Sequence, residues 1–149
     1  MQNSILIAIL LLTACSSALA DQKAHYIVSE QTAALNLPFS DAVQVGDIIF
    51  MSGTLGVTSA KFKLVEGGIT QETHQIFANM KSLLEANNSS LNRIFKCTVM
   101  MRDIAQWPTF NEIYVTYFPD DKPARSAFGA NGLALGAEVE MECWATAID

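Results

Sequence analysis

The chain has 149 residues, of which half are apolar and 16% are charged. This composition excludes a disordered or low-complexity protein, because enough apolar surface is present to offset the loss of chain entropy. Nine Lys and Arg against fifteen Asp and Glu give a formal charge of −6, which disfavours nucleic acid as a partner. Three cysteines are too few for a scaffold built on disulfides.

Residues 1–20 are typical of an export signal. An apolar core at residues 5–12 is shorter than the roughly 20 residues of a membrane-spanning helix, and the Ala-Leu-Ala stretch at residues 18–20 is a small-x-small cleavage pattern. The Leu-Thr-Ala-Cys stretch ending at Cys15 resembles a bacterial lipobox, so acylation of Cys15 is the alternative to cleavage after Ala20. Both alternatives predict an exported protein, either periplasmic or, if Cys15 is acylated, anchored to a membrane. A segment that does not act as a signal would leave the protein in the cytoplasm.

Residues 21–149 predict a single domain that opens with three strands. A β-prone segment lies at residues 25–28, and residues 42–45 and 48–51 predict a hairpin around a Gly-Asp turn. Ser52 and Gly53 end this hairpin. Because Gly53 has no side chain, it can allow a bulge or a close backbone approach.

Two helices and three further strands complete the predicted order, βββαβαββ. Apolar residues at helical spacing predict helices at residues 70–87 and 107–117. Strands are predicted at residues 94–101, 125–130 and 138–148. In the first of these strands, period-two spacing places four residues on one face: Phe95, Cys97, Val99 and Met101. The order predicts an α+β domain, in which two helices pack on one face of a mixed sheet.

The sequence contains no common metal or cofactor motif. Cys-x-x-Cys, His-x-x-x-His, GxGxxG and Walker patterns are missing, so we expect neither a metal nor a cofactor. His25 lies in a strand, and His74 lies between core positions of the first helix, where a surface role is favoured over catalysis. Cys97 and Cys143 fall on apolar strand faces and are expected to behave as small hydrophobic residues. Export would permit a disulfide between them.

Arg125 begins a strand directly after a Pro-Ala pair, and a guanidinium on such a rigid element can bind a carboxylate through two parallel hydrogen bonds. If the last two strands form a hairpin whose loop centres on residues 132–133, Glu140 comes opposite Arg125. A structural salt bridge between these two side chains is the alternative to a substrate site, and spacing alone favours the salt bridge.

Four segments together resemble the reactive intermediate deaminase A family, also known as the YjgF or UK114 group. They are residues 39–53, residues 101–103 with 110–114, residues 123–126, and residues 139–142. The resemblance covers essentially the whole chain after the signal segment. It implies a chorismate-mutase-like fold and a homotrimer with clefts between neighbouring subunits. It also implies hydrolysis of 2-imino acids, such as 2-iminobutanoate and 2-iminopropanoate, to 2-keto acids and ammonia without a cofactor.

The resemblance also implies a role for individual residues. Arg125 would hold the substrate carboxylate, and Glu140 would align or activate the attacking water or assist proton transfer to nitrogen. Glu140 beside a guanidinium would stay ionised near neutral pH. Ser52 and Asn111 match positions that line the cleft.

Two further cleft positions depart from the family pattern. Phe39 stands where many members have Tyr, and Ala127 stands where many have Cys. These departures, together with the signal segment, motivate a second hypothesis, a protein that binds small carboxylates without turnover. RNA cleavage, which has also been attached to the family, ranks third because the chain is acidic and lacks a pair of catalytic histidines.

Overall fold

The computed structural model describes residues 23–58 and 62–148. The predicted signal segment and Cys15 lie outside the described residues. Within them, no helix has the length and apolar character needed to cross a membrane.

The described residues form strands and helices in an order close to the predicted one. The strands are β1 (His25–Ile27), β2 (Ala42–Val45), β3 (Ile48–Met51), β4 (Thr54–Leu55), β5 (Val57–Thr58), β6 (Lys63–Leu64), β7 (Ile94–Met101), β8 (Ala124–Gly129) and β9 (Val139–Thr146). The helices are α1 (Glu30–Ala34), α2 (Gly68–Glu85) and α3 (Trp107–Tyr117). The short helix α1, the strand β4 and the β5–β6 hairpin were not predicted.

One mixed sheet has the strand order β1-β2-β3-β9-β7-β8, and β4 also pairs with β9. Neighbouring strands are antiparallel except β7 and β8, which are parallel and are connected through α3. The predicted hairpin between the last two strands is therefore wrong. Because α3 carries the chain back to the start of β7, β8 must run parallel to β7, and β9 lies between β3 and β7 instead.

Helices α2 and α3 cover one face of the sheet, as predicted. Their buried stripes include Ile76, Phe77 and Met80 in α2 and Phe110 and Tyr114 in α3. These side chains belong to one continuous core with alternate residues of the central strands. A helix stripe on alternating strand residues is the expected packing of an α+β layer.

The predicted alternation of side chains in β7 fails at the start of the strand, at Phe95. The pairing of β7 with β9 shifts register between Ile94 and Lys96, which is a β-bulge. The bulge buries Ile94 and leaves Phe95 39% exposed beside Trp144, whereas the prediction placed Phe95 on the same face as Cys97. Further along β7, Cys97 lies directly opposite Cys143, and the two form a disulfide between β7 and β9.

The other face of the sheet carries side chains that α2 and α3 do not cover. Trp144 lies at its centre, with its ring centroid 4.9 Å from that of Phe50 and 6.4 Å from that of Phe95. Phe128 of β8 is half exposed. In the part of the chain that the structure describes, this aromatic face has no second layer packed against it.

Candidate functional site

The Arg125 side chain points from β8 toward α3. Its position in the ladder is opposite Cys97, whose side chain lies in the core on the helix-covered face. The guanidinium carbon lies 4.3 Å from the ring centroids of both Trp107 and Tyr114, within the range of attractive cation–π contact. Arg125 Nη2 donates a 2.8 Å hydrogen bond to Asn111 Oδ1.

Helix α3 provides this arginine site because of its residue spacing. Trp107, Asn111 and Tyr114 are separated by four and three residues, so their side chains lie on one face of the helix. The sequence points to Arg125 by its place at the start of a strand and to Asn111 by the family resemblance, whereas Trp107 and Tyr114 are not among the predicted site residues. The same helical spacing indicates that they share the face of Asn111.

Burial changes the acid–base properties of this pair. Desolvation lowers the pKa of Arg125, and the nearby Tyr114 partly opposes that change. Burial raises the pKa of Tyr114, and the Arg125 charge partly opposes it. Since guanidinium groups stay protonated in proteins, the pair at neutral pH is a cation beside a neutral phenol.

The arginine faces a cavity of about 540 Å³. Its lining residues are Trp107, Asn111, Tyr114, Val115, Lys122, Pro123, Arg125 and Ala127. Three of the residues proposed from the sequence, Arg125, Asn111 and Ala127, are thus brought together in one chain. The volume lies within the range of small-molecule sites, and the guanidinium makes the cavity suited to an anion.

Phe39 and Ser52 lie elsewhere, at a second cavity of about 410 Å³ beside α1 and α2. Phe39 is half exposed. The Ser52 hydroxyl donates a 2.7 Å hydrogen bond to the Ser40 carbonyl, so it fixes the segment before β2. Within one chain, Phe39 and Ser52 therefore do not line the cavity that Arg125 faces.

Glu140 lies against Gly53. In the ladder, Phe50 pairs with Trp144 and Thr54 with Met141, so the three residues 51–53 stand opposite the two residues 142–143. The predicted bulge at Gly53 is confirmed. The group that approaches Gly53 closely is a side chain and not backbone, because a Cβ atom at Gly53 would overlap Glu140 Oε1. Burial raises the pKa of the Glu140 carboxyl.

Arg125 and Glu140 do not face each other within the chain. Cys143 and Cys97 lie in line with Arg125 on the helix-covered face, and Glu140 is three residues from Cys143. Because side chains alternate along a strand, Glu140 points from the opposite face. The expected cross-strand ion pair within the chain is wrong, and burial, not a guanidinium, is what shifts the pKa of Glu140.

The molecule is thus a small α+β domain with an arginine-lined cavity on one side of its sheet and a half-buried carboxylate on the other. Residues 30–147 match the family model described as Endoribonuclease L-PSP. The chain belongs to this family, which is the RidA or YjgF family of the sequence resemblance.

Individual relatives agree with this assignment. Protein HMF1 of Saccharomyces cerevisiae is 40% identical over 123 residues, which cover 83% of this chain and 95% of the relative. The 2-iminobutanoate/2-iminopropanoate deaminase of Mus musculus is 39% identical over 105 residues, covering 70% of this chain and 78% of the relative. The solved structure of yeast YEO7 superimposes with a TM-score of 0.78 at 38% identity, covering 85% of this chain and all of that one. The fold is therefore that of the YjgF/RidA family.

Proposed function

We propose that the protein hydrolyses reactive 2-imino acids to 2-keto acids and ammonia, in clefts between the subunits of a homotrimer. The observation that carries the proposal is the Arg125 guanidinium, which Asn111 and two aromatic rings hold beside a cavity of small-molecule size. An arginine held in this way is suited to the planar carboxylate of a small acid. The name of the mouse relative supports the same reaction class.

The chemistry needs little from the protein beyond binding, orientation and proton transfer. Arg125 binds the substrate carboxylate and places the protonated imine carbon near Glu140. Glu140 accepts a proton from a water molecule, which adds to that carbon and forms a tetrahedral amino alcohol. The proton then passes to nitrogen, and as ammonia leaves Glu140 accepts the hydroxyl proton, so that the carbonyl of the 2-keto acid forms. One water is consumed for each ammonia released, and no electrons are exchanged. A carboxyl whose pKa is raised by burial is better able to accept this proton.

A cleft that uses both residues requires two copies of the chain. Arg125 and Glu140 leave opposite faces of one sheet, so the Glu140 that meets Arg125 must belong to a neighbouring copy. The aromatic face formed by Phe50, Phe95 and Trp144 is apolar surface that a neighbour can cover. A closed ring of three copies repeats one such contact three times.

Wild-type protein should accelerate ammonia release from freshly generated 2-iminopropanoate. The imine is produced in the assay by an amino acid oxidase, and ammonia is followed against the spontaneous rate. Calorimetry with 2-ketobutanoate is run in parallel. Binding of the keto acid without any acceleration would select the second hypothesis, a protein that retains small carboxylates, which the departures at Phe39 and Ala127 motivate.

Gly53→Ala should lower the rate of imine hydrolysis by roughly 10–100-fold, because the new methyl group displaces the Glu140 carboxylate. The displaced atom is the end of a flexible side chain, so the thermal midpoint should stay near that of the wild type. Gly129→Ala is the matched control, since its Cβ atom would make only an ordinary 3.5 Å contact with Ile104. Equal rates for both variants would show that Glu140 does not act from its place above Gly53.

A further inference from the structure

Three buried polar side-chain atoms have no hydrogen-bond partner within residues 23–58 and 62–148: Gln31 Nε2, Tyr114 Oη and Arg125 Nη1. Two of the three belong to side chains that contact each other in the arginine cavity. An unpaired buried polar group is costly, and native proteins leave few of them. The coincidence of two at one cavity indicates that an acceptor completes this site.

The chemistry of the two atoms defines that acceptor. A guanidinium nitrogen only donates, while a phenol oxygen donates one proton and can also accept. Asn111 already engages the other terminal nitrogen of Arg125. Because burial raises the pKa of Tyr114, its hydroxyl keeps its proton at neutral pH and is available as a donor. One oxygen that accepts from both groups satisfies them together, and a carboxylate oxygen has the lone pairs and the charge to do so.

We propose that Tyr114 is a second ligand-binding residue of the arginine cavity, whose hydroxyl donates, together with Arg125 Nη1, to one carboxylate oxygen of a 2-imino or 2-keto acid. Both atoms are covered by neighbouring side chains, so binding includes a shift of the Arg125 guanidinium toward the cavity. The inference rests on the proposed function only for the identity of the acid. The role differs from that of Trp107, which contacts the guanidinium through its ring alone.

Tyr114→Phe tests this role, because it keeps the ring that packs on Arg125 and removes only the hydroxyl. The dissociation constants of 2-ketobutanoate and of its neutral amide are measured by NMR titration with the full-length protein. Loss of one hydrogen bond to a charged group should weaken binding of the acid by about tenfold and leave the amide unchanged. Tyr117→Phe is the control, since the Tyr117 hydroxyl lies 2.8 Å from His74 Nδ1, outside the cavity.

The ratio of the two constants separates a binding role from a packing role. Unchanged binding of the acid in Tyr114→Phe, or an equal loss for acid and amide, would overturn the proposal. The outcome is independent of turnover. If the wild type binds the acid through Tyr114 but hydrolyses no imine, the inference stands and the proposed function fails. If the wild type hydrolyses the imine and Tyr114→Phe binds the acid normally, the reverse holds.

Discussion

Arg125→Ala and Glu140→Gln should each abolish accelerated imine hydrolysis, and a mixture of the two inactive proteins should regain activity. In a cleft between copies, Arg125 comes from one chain and Glu140 from its neighbour. A mixed assembly therefore contains clefts in which an intact arginine from the Glu140→Gln chain meets an intact glutamate from the Arg125→Ala chain. Every trimer that contains both variants has one such cleft among its three, so the isolated mixed assemblies should reach about a third of the wild-type rate.

The experiment mixes differently tagged variants, unfolds and refolds them together, and isolates assemblies that carry both tags before the rate is measured. Each variant refolded alone is the first control and should stay inactive. The second control replaces Arg125→Ala with Arg93→Ala. The Arg93 guanidinium donates hydrogen bonds to Thr146 and to the Ala147 carbonyl at the end of β9, away from the arginine cavity, so this variant should be fully active alone. Mixed assemblies that stay inactive would contradict a cleft that takes Arg125 and Glu140 from two chains.

Breaking the disulfide between Cys97 and Cys143 should lower the free energy of unfolding by about 4 kcal/mol. The bond closes a loop across a sequence separation of 46 residues, and cross-linking a loop of this length restricts the unfolded chain by about that amount. Urea unfolding is measured with and without reductant on full-length protein carrying Cys15→Ser, so that only the bonded pair can react. Reductant should move the midpoint to lower urea.

The control for this prediction is a second protein that also carries Cys143→Ala. Reductant should not change the urea midpoint of this protein. Coincident unfolding curves for the first protein with and without reductant would mean that Cys97 and Cys143 are not joined in solution. A structural disulfide is typical of proteins that fold in an oxidising compartment. The bond therefore supports our proposal, made from the signal segment, that the protein is exported.

Local pattern predicted several elements of the fold to the residue. The β2–β3 hairpin, β7 and α3 have the predicted bounds, because turn chemistry and side-chain period act over a few neighbouring residues. Helix α2 begins two residues earlier than predicted, after Gly67, which adopts a φ of 113°. The short helix α1 escaped prediction because five residues are too few to show a helical period.

Local sequence information likewise predicts some features of the candidate site, while others depend on contacts between distant segments. Residue types and family resemblance were enough to single out Arg125, Asn111 and Glu140, and helical spacing contains the face shared by Trp107 and Tyr114. Strand neighbours and the direction of β8 depend on contacts between distant segments, which a period of two residues cannot specify. Folding of the whole sheet therefore decided that Arg125 and Glu140 leave opposite faces, and with it that one chain holds only half of the proposed cleft.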